Sequence, residues 1–212
     1  MEANPYFENN YYNNHTKIMK HSILFIVDMQ NDFIDGSLAV KGGNEAVDNL
    51  IKHIDGLDNS EYYNAVIITN DWHTENHISF KEWPRHCVAN TKGAEIPDRL
   101  ADKLYDTYSY DFIYFEYKGR SKDKDEYSIF DDEKNCEEVQ SLIESYSYKG
   151  EETTITVCGI AGDICVYNTI KDMIKLGYKD RIEVLVDATA SIDGGKKLNE
   201  LIEAEHLKKV YC

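Results

Sequence analysis

The chain has 212 residues, 42% of them hydrophobic and 29% charged, enough for one ordinary domain with a substantial core, which excludes a disordered or fibrous protein. Its formal charge of −16, with basic runs no denser than the pairs Lys196-Lys197 and Lys208-Lys209, argues against nucleic-acid binding, because nothing would displace counterions from phosphates. The five cysteines lack Cys-x-x-Cys spacing and the chain has no apolar segment of membrane-spanning length, so a reducing compartment, the cytoplasm, is expected and a membrane partner is not.

Residues 1–20 are rich in Asn and Tyr without hydrophobic periodicity and read as a flexible extension; residues 21–212 read as a single domain. An apolar strand over 22–28 ends in Asp28, and helical spacing of Val47, Leu50, Ile51 and Ile54 predicts a helix over 44–57. A β-branched strand over 65–70 runs into Asp71-Trp72-His73, then a long loop carrying His77 and Trp83-Pro84-Arg85-His86-Cys87-Val88. A short helix over 96–104 and a strand over 112–117 follow, and a polar loop starts at Lys118. Then come a helix over 134–146, a strand over 153–158, a helix over 163–176 closed by Gly177, a strand over 181–187, a helix over 196–205 and an edge strand over 208–211. Apolar, unalternating strands interleaved with helices predict a parallel sheet covered on both faces.

In such sheets ligands bind outside the carboxyl ends of the strands. That rule gathers Asp28, Asp71, His73, Lys118 and the segment from Gly159 to Cys165 at one edge. Asp71 and His73, two apart in extended backbone, project to the same side, and a carboxylate with imidazoles suits Zn²⁺, Fe²⁺ or Mn²⁺ with positions left open. Spacing alone leaves open which of His73, His77 and His86 bind, since His73 and His77 also stand one helical turn apart. Cys165, placed in the first turn of a helix, is expected to feel the positive end of the dipole, which favours thiolate. Asp28 beside an apolar strand end is placed to take a thiol proton, and a Lys118 cation to hold Asp28 and lower the thiol pKa. Asp32 and Asp35 read as turn residues.

Four segments stand in order: Asp28-Met29-Gln30-Asn31-Asp32-Phe33; Asp71-Trp72-His73; Trp83 through Glu95; and Gly159 through Val166. Together they resemble the nicotinamidases (pyrazinamidases) of the isochorismatase-like cysteine hydrolase superfamily, from about Ser22 onward. The Trp-Pro-x-His-Cys-Val block with Asp-x-His is the specific part; the first-strand motif marks only the wider superfamily. The resemblance implies a three-layer α/β/α sandwich on a largely parallel six-stranded sheet. It implies a triad of Asp28, Lys118 and Cys165, and backbone oxyanion donors at Ala161 and Cys165 beside a cis peptide at Ile160-Ala161. It further implies one divalent metal ion, zinc first and iron or manganese as alternatives, held by Asp71, His73 and His86. Phe33, Trp83 and Tyr127 match aromatic positions around a pyridine ring. The implied reaction is hydrolysis of nicotinamide to nicotinic acid and ammonia, in NAD salvage, through a Cys165 thioester, and the family often forms closed homo-oligomers. Three departures stand out: Gly162 where the family carries a larger residue, expected to loosen the turn before Cys165; Glu126 in Asp125-Glu126-Tyr127-Ser128, where a Ser is usual; and the N-terminal extension.

Overall fold

In a computed structural model the described residues are 21–58, 62–147 and 153–212; the expected N-terminal extension, 1–20, lies outside them. The chain forms β1 (Ser22–Val27), a one-turn helix α1 (Asn31–Ile34), α2 (Gly43–Gly56), β2 (Ala65–Asp71), α3 (Asp98–Thr107) and β3 (Ile113–Lys118). It continues through α4 (Glu133–Ser145), β4 (Thr154–Ile160), α5 (Tyr167–Lys175), β5 (Ile182–Ala190), α6 (Lys196–Glu205) and β6 (Lys208–Val210). The six strands make one sheet in the order β3-β2-β1-β4-β5-β6, and every ladder between them is parallel.

Period-two alternation along β1 and β2 divides the core. Leu24, Ile26, Val66 and Ile68 face Val47, Leu50 and Ile54 of α2 and Leu100 and Leu104 of α3. Ile23, Phe25, Ala65 and Ile67 face Val139 and Ile143 of α4, Ile170 and Met173 of α5, and Leu198 and Ile202 of α6. The result is the expected α/β/α sandwich, with both faces of the central strands buried, which is why those strands lack polar alternation. Among the described residues no helix is long and apolar enough to cross a membrane.

Element ends shift by one to three residues from the sequence expectation, and one element changes type. The helix expected over 163–176 divides into a π-helical turn, Gly162–Val166, followed by α5. The Ala161 carbonyl accepts from Val166 N at 3.1 Å, an i→i+5 bond, and from Ile164 N at 3.0 Å. The short α1 had no periodicity from which to be read.

Candidate active site and metal centre

The strand ends bring the polar residues together as the sheet rule requires. Val27 pairs with Thr69 on one side and Gly159 on the other, so Asp28 leaves the sheet between β2 and β4. Asp28 turns off the strand with φ of 50°, a left-handed conformation in which Asp is enriched. Gly159 permits this close packing, since a Cβ there would collide with the Val27 backbone. Asp71 and Lys118 stand directly across from each other at the end of the β2–β3 ladder.

Lys118 is the hub of one cluster. Its ammonium lies 2.8 Å from Asp28 Oδ2 and bonds Asp71 Oδ1, with the Glu126 carbonyl at 3.3 Å and Cys165 Sγ at 3.9 Å. Thr69 Oγ1 donates to the other Asp28 oxygen at 2.8 Å. Asp28 and Lys118 are 0% and 1% exposed, so little water screens these charges. Burial raises the Asp28 pKa above the usual carboxylate range, and the Lys118 charge only partly offsets it. At Lys118 burial opposes charge, but Asp28 and Asp71 more than compensate and keep it firmly an ammonium.

At Asp71 burial also opposes ionisation, yet Lys118 and His73 together hold its carboxyl below the usual range. Its second oxygen, Oδ2, lies 3.4 Å from His73 Nε2 and 3.8 Å from His86 Nε2. The remaining imidazole nitrogens decide what these rings can do. His73 Nδ1 donates to the Gly119 carbonyl at 3.1 Å and His86 Nδ1 to the Pro84 carbonyl at 2.7 Å. A carbonyl only accepts, so each neutral ring carries its proton on Nδ1 and presents the Nε2 lone pair toward Asp71. His77 is fully engaged: Nε2 donates to the Lys124 carbonyl at 3.0 Å, and Nδ1 accepts from Ser79 Oγ at 2.7 Å. It stacks on His73 with ring centroids 4.0 Å apart. Both His77 ring nitrogens are thereby committed to protein partners, while His73 and His86 each keep Nε2 toward Asp71. Asp71, His73 and His86 offer one donor atom each within 4.8 Å of one another, a buried O,N,N set of the kind divalent zinc or iron takes.

One expectation is corrected. Cys165 sits in the π turn ahead of α5, not in a helical first turn, and burial pushes its thiol well above the ordinary range. Lys118 pulls the other way, but Asp28 and Asp71 add to the burial effect, so the resting thiol keeps its proton. Burial, with two neighbouring carboxylates adding to it, outweighs the helix-dipole argument.

The cavity beside this cluster is lined by Cys165, Ala161, Asp71, His73, His86 and the three aromatics, Phe33, Trp83 and Tyr127. Phe33 packs on the His86 ring with centroids 5.3 Å apart, and Trp83 Nε1 donates to the Tyr127 hydroxyl at 3.4 Å. The Ile160-Ala161 peptide is cis. Cys165, Ala161, Asp71, His73, His86 and the three aromatics thus line one cavity, with Lys118 and Asp28 bonded behind it. Gly162 does not leave slack, because the Ser191 hydroxyl occupies the space its Cβ would take.

Supporting residues were not evident from the sequence. The buried Gln30 amide accepts from Asp71 N at 2.8 Å and donates to the Asp71 and Ala94 carbonyls at 2.7 and 2.8 Å. Asp32, expected only to make a turn, accepts from Ser37 N at 3.2 Å and also from Cys87 N at 2.7 Å, anchoring the residue after His86. Asp163 accepts from Ile192 N and Asp193 N at 2.9 and 3.1 Å and ties down the loop over the cavity. Their signal lay in the motifs that contain them, but no local pattern distinguishes a polar brace from a solvated side chain.

A family model for the isochorismatase domain matches residues 22–208. The chain belongs to the isochorismatase family. A nicotinamidase/pyrazinamidase of Mycobacterium tuberculosis is 35% identical over 188 residues, covering 85% of this chain and 92% of that one. The yeast nicotinamidase bound to the inhibitor nicotinaldehyde is 27% identical with a TM-score of 0.74, covering 90% of this chain and 100% of that one. A pyrazinamidase of Pyrococcus horikoshii in complex with zinc is 28% identical with a TM-score of 0.71, covering 91% of this chain and 99% of that one. These three relatives cover 85% to 91% of this family member's chain.

Proposed function

We propose that this protein is a nicotinamidase, a metal-dependent cysteine amidohydrolase that converts nicotinamide and water to nicotinic acid and ammonia. The observation that carries the reading is a single cavity lined by the Cys165 thiol, the Asp71, His73 and His86 donor set and three aromatic side chains, with the buried Asp28–Lys118 pair directly behind Cys165 and Asp71. Nicotinamidases among the relatives, with a zinc-bound pyrazinamidase and a nicotinaldehyde-bound nicotinamidase among the related structures, support it.

Asp71, His73 and His86 would hold the ion. Bound there, a divalent metal supplies a Lewis-acid anchor for the pyridine nitrogen. Phe33, Trp83 and Tyr127 enclose the ring and exclude water. Asp28, whose raised pKa makes it a better base than an ordinary carboxylate, takes the thiol proton as Cys165 sulfur bonds the carboxamide carbon. The Ala161 and Cys165 amides receive the oxyanion, each donor worth roughly 10²–10³ in rate. Asp28 returns the proton to the departing nitrogen, ammonia leaves, and a thioester remains. Water adds to that thioester, its proton passing through Asp28 to the thiol, and nicotinic acid departs with Cys165 restored. Lys118 stays charged throughout and balances whichever of Asp28 and Cys165 is ionised.

The test is ammonia release from nicotinamide by purified protein, before and after chelation with zinc restored. Wild-type turnover that chelation removes and zinc returns is expected, with Cys165→Ala lower by at least about 10⁴-fold. Unchanged release by Cys165→Ala would exclude the thioester route, and no release from reconstituted wild type would exclude the substrate.

A further inference from the structure

Glu126 is buried and almost fully bonded. Its Oε2 accepts from Gly119 N at 2.8 Å, its Oε1 pairs with Lys124 Nζ at 2.9 Å, and its own carbonyl takes Lys118 Nζ at 3.3 Å. The first two of these contacts lead toward His73. Gly119, with φ of 65°, turns its carbonyl onto His73 Nδ1 so closely that a Cβ at 119 would strike the imidazole. The Lys124 carbonyl fixes His77 Nε2, and the His77 ring lies 17° from parallel against His73. One carboxylate thus braces both supports of a single imidazole, the partner of its Nδ1 and the ring stacked on its face.

We infer that Glu126 is a positioning residue for the metal centre, holding Gly119 and Lys124 so that His73 presents Nε2 toward Asp71. The inference rests on the metal reading given under Proposed function. Hydrogen-bond partners behind a ligating histidine fix its tautomer and ring orientation, and their loss typically costs 10–100-fold in metal affinity. A hydroxyl or methyl at 126 cannot span to both Gly119 N and Lys124 Nζ; only a side chain of this length does. Gln keeps the acceptor for Gly119 N but turns an amide NH2, a donor, toward the half-exposed Lys124 ammonium, so it retains the Gly119 contact and loses the Lys124 one.

Zinc affinity, measured by competition with a chromophoric chelator, tests this on wild type, Glu126→Ala, Glu126→Asp and Glu126→Gln, beside the thermal midpoint of each metal-free protein. Affinity should fall about 10–100-fold in Glu126→Ala, and fall less in Glu126→Asp and in Glu126→Gln, which keeps the acceptor for Gly119 N. The shorter Asp variant keeps charge and polarity and carries the test if the Ala variant does not fold. A merely structural role would lower the metal-free midpoint and leave zinc affinity alone. Equal zinc affinity in wild type, Glu126→Ala and Glu126→Asp overturns the inference by itself. Wild-type protein that binds no zinc overturns the metal reading, and the inference with it.

Discussion

Asp28 and Lys118 form an ion pair of 2.8 Å in which both partners are withdrawn from solvent, and Asp71 shares the same ammonium. Two carboxylates thus depend on one cation. Removing one partner of a buried pair strands the other's charge and costs about 3–5 kcal/mol. Lys118→Met should lower stability by that amount in urea unfolding and abolish ammonia release. Adding Asp28→Asn should recover part of the stability and none of the activity. A Lys118→Met midpoint equal to wild type would mean that the ammonium does not hold the cluster together.

Metal binding should be visible as stability. A ligand at 100 times its dissociation constant adds about 2.7 kcal/mol, which raises Tm by about 5–11 °C for a chain of this size. Zinc should produce that rise in wild type, and Asp71→Ala or His86→Ala should remove it. A rise that survives both substitutions would place the ion elsewhere.

Gln30 spends its whole amide on backbone groups around Asp71. Gln30→Leu fills the volume but leaves buried donors and acceptors unmet, at about 1–3 kcal/mol for each group. Calorimetry should register a lower Tm, and zinc affinity should fall because Asp71 loses its backbone anchor. Unaltered zinc affinity would separate Gln30 from the metal centre.

Stability should fall in mild acid partly through His53, which shares a 2.8 Å hydrogen bond with the Tyr63 hydroxyl. Burial depresses the His53 pKa in the folded chain, against weaker upward pulls from Asp187 and Glu183. The unfolded chain therefore binds more protons just below the ordinary histidine value of about 6.5. This contribution is complete above that pH and is lost as pH falls through the depressed folded value. His53→Gln should flatten the pH dependence of the urea midpoint between pH 8 and 5. Parallel profiles for the two proteins would exclude His53 as a source.

Most of the site was legible because strand ends are legible. Asp28 and Asp71 each close an apolar, β-branched run that reads as a buried parallel strand, and the sheet rule then places their side chains at one edge beside Lys118, which ends the half-buried edge strand β3. His77 was not separable from His73 and His86 by spacing, because the distinction lies in Ser79 Oγ and the Lys124 carbonyl, which arrive from loop geometry. The π turn holding Cys165 was unreadable for a similar reason. Its two bonds to the Ala161 carbonyl depend on how β4 ends, not on residue preference. Gln30, Asp32 and Glu126 look like ordinary polar residues until the backbone groups they bind are in place.

The order of winding has a consequence for how the site is inherited by the growing chain. From the middle of the sheet the chain travels outward through β2 to β3, then returns past β1 to build β4, β5 and β6. Asp71, His73 and His86, with Asp28 and Lys118, belong to the outbound half, and the thiol with its neighbouring Ala161 amide belongs to the return. The nucleophile is thus the last piece delivered, added to a carboxylate–ammonium–imidazole cradle already spelled out upstream of it. Changes confined to β5, β6 or α6 can drift without rewriting that cradle, whereas a one-residue slip of β3 against β2 would point Lys118 to the wrong face and leave the arriving sulfur without its counterpart.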